Sequence, residues 1–448
     1  METHKEAFYF RGYTVHETTD TVAFQYTLSH GKEMFNFIEK LTVPGLSSGR
    51  SSIPEPLFTG ILDQLLLLLG ISYWKLYCPK YIHTGPIALT REQSDFWNTV
   101  YTKGLGEFFY KNQIDYRNLV EFPYSDSGNR VSVDIKTNDR SLVQLGGGKD
   151  SIVTAELLKH AQKDFTLICV DAHGIHNTIA QKIGKPLIDI RRTIDPQLYE
   201  LNKRPDTYNG HVPISAVYAF ADLLMAALGG FRYIIASNEE SANYGNVTYL
   251  GNEINHQWSK TFEFEKLFQS YVAKYITTDI TYFSLLRPIK EIKIIELFSR
   301  HEQYHSLFTS CNTNFRRTVA SSTPRWCGIC PKCAFVFLLL SAFIPKQKLV
   351  SLFGGNLYEN AGLAETFREL LGLTGIKPFE CVGTPDECRW AFYLAFQRKE
   401  YEEDEIFTLL RKELRSVWDA IARTKEALFS VSVAHSIPVA FQPILKAL

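Results

Sequence analysis

The chain has 448 residues, of which 48 are Lys or Arg, 48 are Asp or Glu, and 45% are hydrophobic. This composition is typical of a soluble globular protein of about three domains, and it excludes disordered, collagenous and membrane-spanning chains. A formal charge of zero at pH 7 provides no overall field to attract polyanions, so neither nucleic acid nor a membrane is expected as a partner.

The N-terminal segment predicts an α+β domain over residues 1–125. Apolar and polar residues alternate along residues 22–43, which is typical of antiparallel strands, with a turn at Ser29–Lys32. Two helices are predicted at Glu55–Leu69 and Glu92–Lys111, the second opened by a capping-box pattern.

No targeting segment is expected from the sequence. The N-terminal METHKEAFYFRGYTV has no apolar core of the kind found in secretory signals. The longest apolar runs, Leu65–Ile71 and Ala334–Ile344, are shorter than the roughly 20 residues that cross a bilayer. A cytoplasmic protein is therefore predicted.

After residue 131 the chain alternates between strand-like and helix-like segments. Strands are predicted at VSVDI, SLVQL, FTLICV, PLIDI and RYIIA, and helices at Ser151–Gln162 and Ile214–Leu228. This alternation predicts an α/β fold with a parallel sheet covered on both faces, whose ligands bind at the carboxyl ends of the strands. We expect this second domain to occupy residues 131–345 and a mainly helical region to occupy residues 346–448.

Three consecutive glycines separate the predicted SLVQL strand from the following helix. Without Cβ atoms, the backbone amides of Gly146, Gly147 and Gly148 can converge on an anion at the positive end of the helix. The loop is not a Walker A motif, because Lys149 is followed by Asp150 instead of Ser or Thr. The pattern favours a phosphate-binding loop over a simple glycine-rich turn.

The sequence GGGKDS, from Gly146 to Ser151, resembles the SGGxDS loop of the PP-loop ATP pyrophosphatase superfamily, with Gly146 in place of the first Ser. The resemblance implies that ATP is bound by its β- and γ-phosphates and that AMP is transferred to a substrate oxygen. It implies phosphate contacts from the three glycines, Lys149 and Ser151, and a Mg²⁺-binding role for Asp150.

Two polar residues directly follow other predicted strands. Asp171 follows FTLICV and Ser237 follows RYIIA, so both are expected at the same edge of the sheet as the loop. There they can contact adenine, ribose or Mg²⁺, although capping of the next helix or turn is an equally good interpretation.

Half of the eight cysteines lie close together in the sequence. Four thiolates with this spacing suit a closed, tetrahedral structural Zn²⁺ site. Unmetallated thiols that act as the acid and base of a racemising enzyme, or an iron–sulfur cluster, are the alternatives. The predicted metal ligands are Cys311, Cys327, Cys330 and Cys333, and the predicted packed thiols are Cys78, Cys169, Cys381 and Cys388.

The loop and the cysteines together also resemble 7-cyano-7-deazaguanine synthase, which implies a related alternative: an adenylating enzyme of that type or of the tRNA-thiolation type. This resemblance covers only the central part of the chain. A non-catalytic module that binds ATP without turnover is a third hypothesis.

Distinctive segments are spread over most of the chain: FYFRGYTV near the N-terminus, FWN and GLGEFFY between residues 96 and 110, GGGKDS, NGHVP, SNEESAN, NHQWSK and WCGICPKCAF. In these segments, and so over nearly its whole length, the chain resembles the MurL family. The resemblance implies ATP- and Mg²⁺-dependent conversion of the terminal L-Glu of a UDP-linked muramoyl dipeptide into D-Glu, with AMP and diphosphate as products. It therefore implies a role in peptidoglycan synthesis and a small-molecule substrate.

Several residues in these segments are candidates for the chemistry. The groups able to move a proton are Asp150, His211, Glu239, Glu240, His256 and Lys260, and the sequence does not rank them. Three arginines, Arg316, Arg317 and Arg325, can clamp the diphosphate or a carboxylate of the substrate, or can belong to a solvated basic loop. The sequence makes no prediction of the oligomeric state.

Overall fold

The computed structural model describes residues 6–125, 132–315 and 325–448. Within these ranges the strands form a mixed nine-stranded sheet, in the order β11-β8-β5-β6-β7-β3-β2-β1-β4, and a separate β9–β10 hairpin. The strands are β1 Ala7–His16, β2 Thr21–His30, β3 Glu33–Thr42, β4 Tyr81–His83, β5 Asn138–Gln144, β6 Phe165–Val170, β7 Leu187–Thr193, β8 Phe231–Ala236, β9 Val247–Tyr249, β10 Asn252–Ile254 and β11 Thr281–Ser284.

Helices cover both faces of the large sheet. They are α1 Leu46–Arg50, α2 Glu55–Leu69, α3 Ile71–Trp74, α4 Arg91–Gly104, α5 Gly106–Lys111, α6 Lys149–His160, α7 Gly174–Ile183, α8 Gln197–Leu201, α9 Ile214–Gly229, α10 Phe262–Tyr275, α11 Glu291–Ser299, α12 Pro331–Ser341, α13 Lys346–Phe353, α14 Ala364–Leu370, α15 Pro385–Gln397, α16 Glu405–Glu413, α17 Trp418–Arg423 and α18 Lys425–Phe429. The mainly helical C-terminal region is confirmed within the described residues.

The five parallel strands place the glycine loop at a break in strand order. The order β7-β6-β5-β8-β11 reverses direction between β5 and β8. Ligands of open α/β sheets bind at such a switch point, outside the carboxyl ends of the strands. The GGGKDS loop directly follows β5 and so lies at this point.

Alternating side chains of the parallel strands pack into two cores. Leu142, Ile168 and Ile234 face the core shared with α2, α4 and α9, whereas their neighbours Val143 and Leu167 face the core shared with α6, α11 and α12. The period of two along each strand explains why the sequence predicted burial on both faces.

The predicted antiparallel strands around residues 29–32 are confirmed, and they extend the parallel sheet. His30 pairs with Glu33 across a two-residue turn between β2 and β3. Leu41 of β3 then pairs with Arg192 of β7 in antiparallel fashion. One sheet thus crosses the predicted boundary near residue 125, and the division into domains stays a prediction.

A buried ion pair lies at this junction. Arg192 Nε is 2.6 Å from Glu39 Oε1, and Arg192 also donates to Ser72 Oγ at 3.1 Å.

We expect Glu39→Ala to cost about 3–5 kcal/mol in free energy of unfolding, because it leaves the Arg192 guanidinium buried without its counter-ion. Urea unfolding should measure this loss. The matched control Glu33→Ala breaks an exposed ion pair with Arg204 and should change stability little; equal losses would contradict the assignment.

The apolar α2 and α3 helices form the centre of the N-terminal core. The continuous stretch Glu55–Trp74 has the length and hydropathy to cross a membrane, and 94% of its apolar window is buried inside the protein. Its neighbours include the β-strand residues Phe10 and Tyr26, and the Tyr26 hydroxyl donates to Leu66 O at 3.1 Å. Burial in the protein therefore accounts for its composition.

Two predicted elements differ in the structure. The described part of VSVDI, Ser132–Ile135, is not a strand, because Val133 N bonds Ile276 O and Ile135 N bonds the Asp279 side chain instead of a neighbouring strand. The helix predicted to run to Lys111 is divided at Leu105, where α4 ends and α5 begins.

Candidate active site

The glycine loop is packed so closely that two of its positions require glycine. Gly147 has a φ of +76°, which disfavours any residue with a Cβ. A Cβ on Gly148 would lie 2.9 Å from Ser310 Oγ, whereas a Cβ on Gly146 would meet no atom within 4 Å. The loop is held from the other side, because Thr309 N donates to Gly147 O at 3.2 Å.

The first residues of α6 form a buried ion-pair network. Lys149 Nζ lies 2.6 Å from both Asp150 Oδ1 and Glu291 Oε1. Burial opposes its charge, but the two carboxylates outweigh burial and raise the pKa of Lys149. Although burial raises the pKa of Asp150, Lys149 and Lys332 lower it overall, so Asp150 is ionised and suited to a divalent cation. The predicted phosphate contact of Lys149 stays a prediction.

Charged groups from several elements converge beside this network. We use the term charged cluster for Lys149, Asp150, Glu239, Lys260, Glu291, Lys332 and Cys381. Burial and the nearby Asp150 raise the pKa of Glu239, and burial, partly offset by Lys149, raises the pKa of Glu291 to about 7. The cluster therefore combines the ionised Asp150 with Glu291, a carboxyl group that can carry a proton near neutral pH.

Cys381 is not the packed thiol that the sequence predicted. Its side chain is half-buried, and its Sγ lies 3.2 Å from Lys260 Nζ. Burial raises the pKa of the Cys381 thiol, but Lys260 and a hydrogen bond with His256 outweigh burial and hold that pKa well below its usual value. The other three thiols predicted to be packed, Cys78, Cys169 and Cys388, are indeed buried.

His256 joins Cys381 to a buried carboxylate. Its Nδ1 is hydrogen-bonded to Glu107 Oε2, and His211 Nδ1 lies 3.7 Å from the same oxygen. Burial disfavours the imidazolium, but hydrogen bonds to Cys381 and Glu107 raise the pKa of His256 to about 9. Burial and the neighbouring His256 lower the pKa of His211 to about 3. One histidine is thus charged and the other neutral at pH 7.

Three other residues that the sequence singled out, Ser237, Asp171 and Glu240, lie outside the charged cluster. Ser237 Oγ is buried at the cleft and has no hydrogen-bond partner among the described residues, so it is available to a ligand. Asp171, with a φ of +58°, accepts a hydrogen bond from Arg192 N at 2.9 Å and thereby stabilises its turn. Glu240 pairs with Lys290 at 2.7 Å instead of with the charged cluster.

One of the three candidate arginines, Arg325, lies among the described residues. Arg325 is exposed, and its carbonyl oxygen accepts a hydrogen bond from Thr309 Oγ1 at 2.7 Å. Arg316 and Arg317 lie outside the described residues. Their substrate contacts stay predictions.

The four predicted cysteine ligands meet at the start of α12. Their sulfur atoms lie within 4.8 Å of one another, with Cys327–Cys333 and Cys330–Cys333 separations of 3.7 and 3.5 Å. A tetrahedral zinc ion at a Zn–S distance of about 2.3 Å needs sulfur atoms about 3.8 Å apart. The four thiols therefore fit zinc. Cys311 follows directly on the Thr309–Ser310 segment that contacts the glycine loop, so this site also supports the loop.

A cavity of about 440 Å³ has none of the glycine-loop residues in its wall. Gly106 and Asn255, the chain neighbours of Glu107 and His256, are part of that wall, together with Trp258. The volume and the mixed polar and aromatic wall are typical of small-molecule sites.

Sequence reasoning missed Glu107, Glu291, Lys332 and Cys381. Glu107 lies within GLGEFFY and Lys332 lies between two predicted zinc ligands, so both stood in segments that the sequence had singled out. No local pattern marks Glu291 or Cys381, because only the tertiary fold brings them to the loop.

Comparisons with known proteins agree over both halves of the chain. The MurL N-terminal domain family matches residues 1–285, and the MurL C-terminal domain family matches residues 307–425. A UDP-N-acetyl-alpha-D-muramoyl-L-alanyl-L-glutamate epimerase of Xanthomonas oryzae pv. oryzae is 34% identical over 96% of this chain and 94% of its own length. The protein of the same name from a Micromonospora species is 34% identical over 99% of this chain and 98% of its own. On this evidence the chain belongs to the MurL family.

Proposed function

We propose that this protein is an epimerase that converts the terminal L-Glu of UDP-N-acetylmuramoyl-L-Ala-L-Glu into D-Glu through an acyl-adenylate, with release of AMP and diphosphate. The observation that carries the proposal is the convergence of proton-transfer groups on a glycine loop at the switch point of the sheet. The names of the relatives supply the substrate. Such an enzyme acts on a cytoplasmic precursor of peptidoglycan.

The chemistry explains why such an enzyme uses ATP. Removing an α-proton beside a free carboxylate is difficult, because the carbanion forms next to a full negative charge. Attack of the carboxylate oxygen on the α-phosphorus of ATP forms the acyl-adenylate and releases diphosphate, which removes that charge. The α-proton then becomes accessible to an ordinary side-chain base, and protonation on the opposite face inverts the centre. Hydrolysis of the acyl-adenylate releases AMP and makes the cycle effectively irreversible.

The residues divide between nucleotide binding and proton transfer. The amides of Gly146 to Gly148 are suited to the phosphates, and Ser237 to another part of the nucleotide. The Ser151 hydroxyl donates to Gly148 O at 3.1 Å, so a phosphate contact would replace that bond. Asp150 is suited to hold Mg²⁺, which when bound neutralises charge on the phosphates. Glu239, Lys260 and His256 are the predicted proton-transfer candidates that lie in or beside the charged cluster.

The shape of the molecule supports a substrate with a large non-reacting part. The cavity whose wall contains Gly106 and Asn255, the chain neighbours of Glu107 and His256, offers room for the sugar or nucleotide portion. We therefore expect truncated substrates that lack the UDP-muramoyl portion to react poorly.

One incubation tests the proposal. Protein, ATP, Mg²⁺ and the UDP-muramoyl dipeptide in D₂O should yield AMP, diphosphate and D-Glu that carries deuterium at Cα. Inversion without AMP would refute the adenylate route. AMP formation with a deazapurine acid or tRNA, but not with the dipeptide, would instead assign the chain to the other adenylating class.

Removal of zinc should weaken nucleotide chemistry as well as stability. We expect about one zinc ion per chain, and Cys330→Ser should lose it, because three sulfurs do not close the tetrahedron. AMP formation should fall along with thermal stability, since the cysteine site anchors the Thr309–Ser310 segment against the loop. Metal analysis and a melting curve measure both effects, and Cys388→Ser is the thiol control. Zinc-free protein with full activity would contradict this role.

A further inference from the structure

We infer that Cys381, held by Lys260 and by the Glu107–His256 pair, is the catalytic group that exchanges a proton with the glutamate Cα on one face. The inference rests on the proposed function and assigns a residue to its central step. The sequence offered no reason to select this cysteine among the eight.

The arrangement around Cys381 is that of an activated thiol. His256 Nδ1 is hydrogen-bonded to Glu107, the His256 side chain is also hydrogen-bonded to Cys381, and Lys260 Nζ lies 3.2 Å from Sγ. A carboxylate that orients a histidine, which in turn contacts a thiol, is a recurring means of producing a thiolate at neutral pH. Cations adjacent to the sulfur favour the same state.

The other charged groups around Cys381 also favour a thiolate. Lys332 donates to the Cys381 carbonyl oxygen, and its charge, like that of Lys260, favours an anionic sulfur. An acidic group, Glu380, lies nearby, and burial raises its pKa. Lys377 is a further cation that faces the same region. Positive charge therefore predominates around the sulfur.

Cys381 is linked through its neighbours both to the glycine loop and to the cavity. Lys260 acts electrostatically on both Cys381 and Asp150, so the thiol and the start of the glycine loop share one set of charges. On the other side, His256 follows Asn255 of the cavity wall. A carboxylate adenylated at the loop and a substrate body in the cavity would bring Cα between them, beside Cys381.

The proposed proton transfer needs only the acyl-adenylate, Cys381, a second proton donor and water. The Cys381 thiolate takes the Cα proton of the acyl-adenylate, the C–H electron pair moves into the enolate, and the thiol is left neutral. A second protonated side chain or water then supplies a proton to the opposite face. After hydrolysis of the adenylate, Cys381 returns its proton to water. In this role no covalent bond forms at sulfur.

The test uses Cys381→Ala in the full-length protein with the UDP-muramoyl dipeptide. We expect AMP formation to persist at a rate close to that of the wild type, while D-Glu formation falls by about 10²–10⁴-fold. In D₂O the recovered L-Glu should lack deuterium, because the base that removes the Cα proton is absent; L-Glu that carries deuterium without inversion would show that another group is the base and would overturn the inference. Cys169→Ala, which removes a buried thiol on β6 outside the cluster, should epimerise normally. If the wild type makes no AMP, the proposed function fails instead.

If Cys381→Ala does not fold, the reactivity of the thiol in the wild-type protein provides a second test. Iodoacetamide should alkylate Cys381 of the wild type faster than the other cysteines at pH 7, and the dipeptide with ATP should protect it. Epimerisation by Cys381→Ala above about one tenth of the wild-type rate would overturn the inference. So would an acyl adduct on Cys381 detected by mass spectrometry. A second bound metal per chain would also overturn it by placing an ion between Glu107, His211 and His256, whose donor atoms lie within 4.8 Å.

Discussion

Asp150→Asn is expected to lower the rate of AMP formation by about 10³-fold, the largest loss for a conservative change in this protein. The substitution preserves the shape of the side chain and leaves Lys149 paired with Glu291 at 2.6 Å. It removes the anionic oxygen that Lys149 and Lys332 keep ionised, and with it the predicted Mg²⁺ ligand. Release of diphosphate at saturating ATP, measured over a range of Mg²⁺ concentrations, gives the effect directly.

The control for Asp150 is an acid on a neighbouring helix. Glu296 of α11 pairs with Lys293 and Arg300 outside the charged cluster, so Glu296→Gln should retain nearly full activity. Partial recovery of Asp150→Asn at high Mg²⁺ would support a metal-binding role. Equal activity of Asp150→Asn and the wild type would contradict the placement of ATP at this loop.

Glu107→Gln is expected to reduce D-Glu formation by about 10²-fold, with little effect on AMP formation. Glu107 is a positioning residue, because it acts on Cys381 through His256. Without its charge the imidazolium is less favoured, so the pKa of His256 should fall from about 9 and the thiol should be harder to ionise. The pH–rate profile should therefore shift, a change that a merely structural role would not produce. Glu92→Gln, in an exposed pair with Lys274, is the control.

The Glu107–His256 pair should also make stability depend on pH. The pKa of His256 is raised above its unfolded value of about 6.5, so its contribution is complete below that pH and is lost as the pH rises through about 9. The pKa of Glu107 is lowered to about 2, because the bond from His256 outweighs burial. Its contribution is present above its unfolded value of about 4.3 and is lost as the pH falls toward 2. Cys381, whose pKa is lowered, contributes with the opposite sign over this range. Urea unfolding between pH 6 and 9.5 in a Cys381→Ala background should therefore show a loss that Glu107→Gln in the same background lacks; parallel curves would contradict the assignment.

The features that the sequence predicted correctly are those that a few neighbouring residues specify. The glycine loop, the strands beside it and the Cys327–Cys333 turn are specified by neighbouring residues, and the structure contains each of them. The division of the predicted helix at Leu105 was missed although glycines flank it on both sides, at Gly104 and Gly106. The structure adds that Gly104 packs against Pro213, more than a hundred residues away. A Cβ at Gly104 would lie 2.8 Å from the Pro213 ring.

By itself the sequence determined the class of the fold, the glycine loop and the grouping of four cysteines, since hydrophobic period, backbone freedom and residue spacing act over a few residues. Only the tertiary structure decided which ionisable groups share one environment. Cys381, Lys260, His256 and Glu107 are separated by as many as 274 positions in the chain. Their protonation depends on burial and on charges a few ångströms away, and those distances exist only after the sheet and the C-terminal helices have packed.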